Sequence, residues 1–327
     1  MDELDKRLLT AIQSDVPADE RPFDVLATRL GVGLEEVLAR IGRMRAEGLI
    51  RRIGPIFDSR RLGYVSTLVA ARVPPERLAE IADRVSLLPG VTHNYSRQHA
   101  YNLWFTLTSP SAEELQRTLD GLRRETGIAD FHSLPALAVY KILVQFDMAD
   151  EPPRAPAPLP SSPGETASLT EEQRELVRLI QDGLPVEREP LATAAARLGW
   201  PVSRIVAQVR EWLASGVIRR FGTVVRHHKL GYRANGMAVF RVPPERIDEA
   251  GRRLAKHKEV SHCYRRPPLP DFPYNLFAMI HGRSQETVRQ LADHLAQEAG
   301  ADEHDCLFSL TEFKKVSMRY FLEARER

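Results

Sequence analysis

The chain has 327 residues, 43% of them hydrophobic and 28% charged. That is the make-up of a water-soluble globular protein long enough for two or more domains. A net charge of +2 gives no global case for nucleic-acid binding, although it can hide local basic stripes. The two cysteines, Cys263 and Cys306, form neither a CxxC pair nor a framework, which argues against a disulfide scaffold and for a reducing, cytoplasmic setting. The acidic amphipathic start does not read as a signal peptide, and no apolar run approaches the length of a membrane span.

In chain order, Leu4, Leu8, Leu9 and Ile12 mark one face of a helix over residues 4–14, with Asp2 and Glu3 at the end where the helix dipole favours negative charge. Two more helices are predicted over 23–30 and 34–46, stopped by Gly31 and Gly48. Three short helices with brief turns make a helix-turn-helix unit, and residues 49–57 read as its β-wing. From Tyr64 the period changes. Strands are predicted over 65–73, 91–98, 101–108 and 139–146, with helices to about 87 and over 111–125 between them. The order β-α-β-β-α-β is the ferredoxin-like arrangement. Residues 149–168 are rich in proline and poor in large apolar side chains, and read as an extended linker.

Then the chain repeats itself. Gly48-Leu49-Ile50-Arg51-Arg52-Ile53-Gly54 returns as Gly216-Val217-Ile218-Arg219-Arg220-Phe221-Gly222, Leu62-Gly63-Tyr64 as Leu230-Gly231-Tyr232, and Arg72-Val73-Pro74-Pro75-Glu76-Arg77 as Arg241-Val242-Pro243-Pro244-Glu245-Arg246. The chain is therefore expected to be α+β, a tandem duplication of a winged helix-turn-helix (1–60 and 169–228) and a ferredoxin-like domain (61–148 and 229–327), paired as a pseudo-dimer within one chain. Whether that unit dimerises again is left open. The stretch GVTHNYSRQHAYNLWFT over 90–106 recurs in part, as Val260-Ser261-His262-Cys263-Tyr264-Arg265-Arg266 and Tyr274-Asn275-Leu276-Phe277.

A winged helix followed by β-α-β-β-α-β resembles the Lrp/AsnC regulators. The repeated Leu49–Gly54, Gly90–Arg97 and Tyr101–Thr106 motifs, with Lys314-Lys315-Val316-Ser317-Met318-Arg319-Tyr320-Phe321, are more specific and resemble the siroheme decarboxylases in their fused two-subunit form. The resemblance implies a carboxy-lyase of heme d1 or alternative heme biosynthesis. Such an enzyme removes the carboxyl groups of two acetate side chains of siroheme, giving 12,18-didecarboxysiroheme, without an added organic cofactor. Siroheme and its product are then the partners; DNA and membrane are not.

The residues suit that chemistry. Direct loss of carbon dioxide from an acetate arm leaves poorly stabilised negative charge, whereas protonating the conjugated macrocycle first makes it an electron sink. A histidine able to hold a proton near neutral pH can supply the acid. A flat ring edged by carboxylates calls for aromatic or aliphatic walls and for arginines that pair with carboxylates. Residues two apart share a strand face, so His93, Tyr95 and Arg97 lie together, as do His262, Tyr264 and Arg266. His93 and His262 are the candidate catalytic residues, and either could instead be an axial ligand of the substrate iron; no metal is expected in the protein itself.

The candidate substrate-binding set is Arg51, Arg52, Tyr95, Arg97, Tyr101, Arg219, Arg220, Tyr264, Arg266, Tyr274 and Lys315. Among these, the four wing arginines could equally be solvated or touch DNA phosphates. Tyr101 and Tyr274 could simply anchor strands, and Lys315 could be a solvated strand-edge residue. The rival reading is a DNA-binding regulator sensing a small metabolite, with recognition helices over 34–46 and 202–214. Glu35 and Glu36 at the start of the first, and only Arg204 and Arg210 on the second, argue against a phosphate-binding stripe.

Overall fold

The computed structural model describes residues 1–142, 166–225 and 234–322. Most of the expected linker, the end of the strand expected to run to residue 146, and Leu230-Gly231-Tyr232 lie outside the described residues. The first half runs α1 (Glu3–Ser14), α2 (Pro22–Leu30), α3 (Leu34–Ala46), β1 (Ile50–Phe57), β2 (Val65–Ala71), α4 (Leu78–Leu87), β3 (Val91–Arg97), β4 (Leu103–Ser109), α5 (Ala112–Thr126), β5 (Phe131–Pro135) and β6 (Ala138–Ile142). The second runs α6 (Glu171–Ile180), α7 (Ala192–Leu198), α8 (Val202–Ala214), β7 (Ile218–Val225), β8 (Ala234–Arg241), α9 (Ile247–Leu254), β9 (Val260–Arg265), β10 (Leu276–Gly282), α10 (Gln285–Ala299) and β11 (Glu303–Lys315).

Local chemistry sets the helix ends. Asp2 and Asp5 form a capping box on α1, and Thr170 and Gln173 form one on α6. Gly31 and Gly199 end α2 and α7 in the left-handed region, which a Cβ would disfavour. The apolar faces of both helical units join in one core that includes Leu9, Phe23, Ile41, Leu176, Ile205 and Trp212.

The wings do more than their position in the sequence shows. Each stays on its own helical unit, β1 on α3 and β7 on α8, and the two pair with each other as a two-stranded antiparallel sheet, Gly54 opposite Gly222. Each also lies on the helices of the opposite half. The Val16 amide donates to the Phe221 carbonyl at 2.9 Å, and the Leu184 amide to that of Ile53 at 2.7 Å. Arg220 donates to the carbonyl of Gln13 near the end of α1, and Arg52 to that of Gln181 at the end of α6, where a cation meets the negative end of the helix dipole. Gly54, at φ 150°, lets β1 approach Gly183; a Cβ there would stand 3.2 Å from the Gly183 α-carbon.

The remaining strands form one sheet in the order β5-β2-β4-β3-β11-β8-β10-β9-β6. The ferredoxin-like order survives in each half, but the last strand is shared. Glu303–Phe308 of β11 pairs with β8 of its own half, and Ser309–Lys315 pairs with β3 of the other. The first half does the same in two pieces: β5 pairs with β2, and β6 crosses to β9. Only Ala136 and Leu137 separate β5 from β6, so the ladder returns to its start. Each half keeps its own core between sheet and helices. A further cluster that includes Trp104, Phe272, Phe277 and Leu307 joins the two.

Candidate active site

β3 and β9 place the two histidines in equivalent positions. His93 stands opposite Thr106 on β4 and Lys315 on β11, while His262 stands opposite Met279 on β10 and Ile142 on β6. Strand alternation then aligns each triple. The His93 ring stacks on Tyr95 with centroids 6.3 Å apart, and the Arg97 guanidinium lies 5.8 Å from the Tyr95 ring. The second triple matches, with His262 6.1 Å from Tyr264 and Arg266 4.7 Å from the Tyr264 ring. Asn94 and Cys263 point to the other face, against helices α4 and α9; burial pushes the Cys263 thiol up to about 12, so it is no nucleophile.

Both triples line one cavity of about 1460 Å³, between the wing sheet and the large sheet, together with Arg51, Arg219 and Lys315. This exceeds the roughly 300–1,000 Å³ of ordinary small-molecule pockets. Arg97 and Arg266 are buried in its wall. Arg97 Nη1 donates to the Leu307 carbonyl at 2.6 Å, and Arg266 Nη1 to that of Leu134. Neither guanidinium has a carboxylate at ion-pair distance among the described residues, and the Nε of each is buried without a hydrogen-bond partner. Burial holds both down to about 10. A buried cation without a counter-charge is costly, and an incoming carboxylate relieves that cost.

The histidines are neutral in this cleft. Burial, then Lys315 and Arg51, lowers His93 to about 4. Burial, then His281, His93, Arg219 and Arg266, lowers His262 to about 3. The expectation that either holds a proton near neutral pH therefore fails for the ligand-free protein, because each faces cations in a dry wall. In each, Nδ1 lies 2.9 Å from the hydroxyl of the preceding residue, Thr92 or Ser261, which leaves Nε2 for a ligand.

The other candidate residues divide. Arg51 Nη2 donates to the Lys315 carbonyl at 2.8 Å, and Arg219 Nε lies 3.6 Å from Asp58; both remain on the cavity wall. Arg52 and Arg220 also border the cavity, but their guanidinium groups are engaged on helix ends as described. Tyr101 and Tyr274 are not in the wall. The Tyr101 hydroxyl donates to Asp271 at 2.6 Å and that of Tyr274 to Glu303 at 3.3 Å, and both rings pack on Phe272 in the cluster that joins the halves. The recurrent Tyr-Asn is a structural device: Asn102 and Asn275 each bracket a valine backbone, Val73 and Val242, at 2.7–3.0 Å. Sequence reasoning missed His281, whose Nε2 lies 2.8 Å from Ser261 Oγ, and Glu312, which accepts from the Tyr95 hydroxyl at 3.1 Å. A hydroxyl residue before each histidine was visible in the sequence; His281 and Glu312 needed the strand register.

Similarity to known proteins agrees with this geometry. The family model described as "AsnC-like ligand binding domain" matches residues 61–141 and 229–314, and that of the "Siroheme decarboxylase NirDL-like HTH domain" matches 5–51 and 173–219. The siroheme decarboxylase of Hydrogenobacter thermophilus is 38% identical over 99% of this chain and 97% of its own. The chain belongs to the siroheme decarboxylase family. The siroheme decarboxylase NirDL subunit of Paracoccus denitrificans is 37% identical over 96% of each chain. A crystal structure of the siroheme decarboxylase NirDL in complex with an iron-uroporphyrin III analogue superposes at a TM-score of 0.76, 36% identical, covering 100% of this chain and 97% of that one. The siroheme decarboxylase alpha subunit of Desulfovibrio desulfuricans, 46% identical, matches 46% of this chain and 87% of its own. Siroheme decarboxylases are carboxy-lyases, and this chain has their fused form with both halves of the architecture in place.

Proposed function

We propose that the chain removes the carboxyl groups of two acetate side chains of siroheme, giving 12,18-didecarboxysiroheme, with the iron tetrapyrrole as substrate and no added organic cofactor. The observation that carries this reading is the pair of buried arginines, Arg97 and Arg266, facing one large cavity without carboxylate partners. They suit the carboxylate rim of the macrocycle, with Arg51, Arg219 and Lys315 adding positive charge. Tyr95 and Tyr264 offer flat walls beside them.

His93 and His262 are assigned to proton transfer onto the macrocycle. Protonation withdraws electrons from the ring, so that the pair left when carbon dioxide departs is delocalised; the exocyclic carbon then takes a proton to become the methyl group as the ring gives its own proton back to the histidine, one proton being consumed for each carboxylate lost. Burial is the larger cause of the histidines' low proton affinity, and nearby cations add to it; carboxylates entering beside Arg51 and Lys315, or beside Arg219 and Arg266, offset the cations and raise that affinity. A neutral imidazole is also the form that ligates iron, and the Soret spectra of siroheme complexes of His93→Ala and His262→Ala separate the two roles. Anaerobic incubation with siroheme should yield a product lighter by two carbon dioxide units; an unchanged mass at saturating protein overturns the proposal.

The regulator reading has less support. Arg40 is held by Asp2, Asp5 and Glu36, Arg43 by Asp5 and Glu47, and Arg204 pairs with Glu172 and lies over Trp200. The paired wings are committed to each other. We therefore place the protein with siroheme in the cytoplasm and away from DNA, and a salt-dependent gel shift with operator DNA would reverse that.

A further inference from the structure

The two histidines have equivalent places but different supports. In the first half Thr92 Oγ1 joins His93 Nδ1, at 2.9 Å, to Thr106 Oγ1, at 2.7 Å. In the second half Met279 takes the place opposite the histidine and offers no side-chain hydroxyl. Ser261 Oγ turns instead to His281 Nε2 at 2.8 Å, while keeping His262 Nδ1 at 2.9 Å. The first-half counterpart of His281 is Thr108, whose hydroxyl donates to Ser66.

A serine hydroxyl has one proton, and that fact couples the two rings. If His281 carries its proton on Nε2, it donates to Ser261 Oγ; the serine proton is then free for His262 Nδ1, and His262 presents Nε2–H to the cavity. If His281 Nε2 is bare, the serine proton goes there; His262 must donate from Nδ1, and its Nε2 is a bare lone pair. The Met279 carbonyl, 3.3 Å from Ser261 Oγ, is the weaker alternative acceptor. In the first half the chain ends on a hydroxyl that can rotate to give or accept, so nothing there enforces a tautomer of His93.

We propose that His281 is a positioning residue that sets, through Ser261, which ring nitrogen of His262 carries the proton, a coupling between two rings that the first half lacks. The inference rests on the reading that His262 acts on siroheme. The groups around the pair are Arg219 from β7, Arg266 just after β9 and His93 from β3, with Asn235 of β8 opposite His281. Neither arginine can accept a proton in place of Ser261, and the Met279 carbonyl is the weaker competitor for the serine proton.

The test uses the full chain with siroheme. In His281→Ala, kcat should fall about tenfold or more, as when an orienting partner is lost, with siroheme affinity from Soret titration unchanged. His281→Gln, whose amide N–H can donate to Ser261, should recover most of the rate. Imidazole ¹⁵N shifts should show a single tautomer of His262 in the native protein and a mixture in His281→Ala. Native kcat in His281→Ala, no recovery in His281→Gln, or unmoved ¹⁵N shifts would each overturn the assignment. Native activity in His262→Ala would instead remove the reading on which it rests.

Discussion

His93 and His262 sit on matching strands, stack on matching tyrosines and lead to matching buried arginines, yet their cross-strand neighbours have parted. Around His93 stand Thr106, Lys315 and, beside Tyr95, Glu312; around His262 stand Met279, Ile142 and, beside Tyr264, Val139. Those cross-strand neighbours of the first triple are charged and hydroxylated, and those of the second are apolar, with His281 brought in from β10. On the proposed reading, the duplicated triple is the shared apparatus for gripping a carboxylate-rimmed ring. The strand register around it is where the halves became different, and a site that must process two acetates of one substrate has reason to be unequal on its two sides.

The largest effect should come from the histidines themselves. His93→Ala and His262→Ala should each lower turnover by about 10²–10⁴-fold; product mass counts the carboxyl groups lost, and proton NMR of the isolated intermediate reads which arm was converted. If each variant stalls at a different singly decarboxylated isomer, the halves divide the work; if only one variant is impaired, the other half mainly shapes the site. Next come the arginines. Arg97→Met or Arg266→Met should weaken siroheme binding by about 2 kcal/mol or more while raising the melting temperature of the ligand-free protein, since a buried lone charge is replaced by an apolar chain. A fall in both affinity and melting temperature would show that the backbone bond to Leu307 or Leu134 outweighs the burial cost.

A proton balance sharpens the picture further. Both histidines are depressed in the free protein, to about 4 and about 3. If bound carboxylates raise them, the complex takes up protons. Siroheme affinity then increases as pH falls below the raised values in the complex, and levels off once the free histidines are also protonated, below about 3 to 4. Calorimetry in buffers of different ionisation enthalpy measures the uptake; no uptake near pH 6 would mean that both rings stay neutral, as iron ligation requires. The smallest effect is expected from Lys315→Ile, which copies Ile142. It should raise the His93 pKa, because a neighbouring cation is removed, and leave His262 unmoved in an NMR titration.

Much of this was legible in the sequence because it rests on local rules. Period 3.6 and glycine stops marked the helices, period 2 put His93, Tyr95 and Arg97 on one face, and repetition announced the pseudo-dimer. What could not be read depends on which strand lies beside which. The Leu49–Gly54 motif looks like a wing from its position, but its pairing with Gly216–Gly222 and its seat on the opposite helices are tertiary facts. Tyr101 and Tyr274 repeat as faithfully as the histidines, and repetition alone cannot separate a strand anchor from a ligand contact. His281 falls where the first half has a threonine, so the duplication itself concealed it. The depressed histidines follow from burial under neighbouring strands and from the cations those strands contribute, which no spacing within 90–106 reveals.

The ladder that returns to its start through β5 and β6 has a consequence for how this protein tolerates dilution. Each half, taken alone, would present the free side of β3 or β9 as an open row of amides and carbonyls, an invitation to pair with any passing strand. In the fused chain both rows are filled by β11 and β6, and the partner is always present at the effective concentration set by its own tether. The cavity between the halves should therefore persist at protein concentrations where two separate subunits would part, and the cell can keep the enzyme scarce without losing its active form.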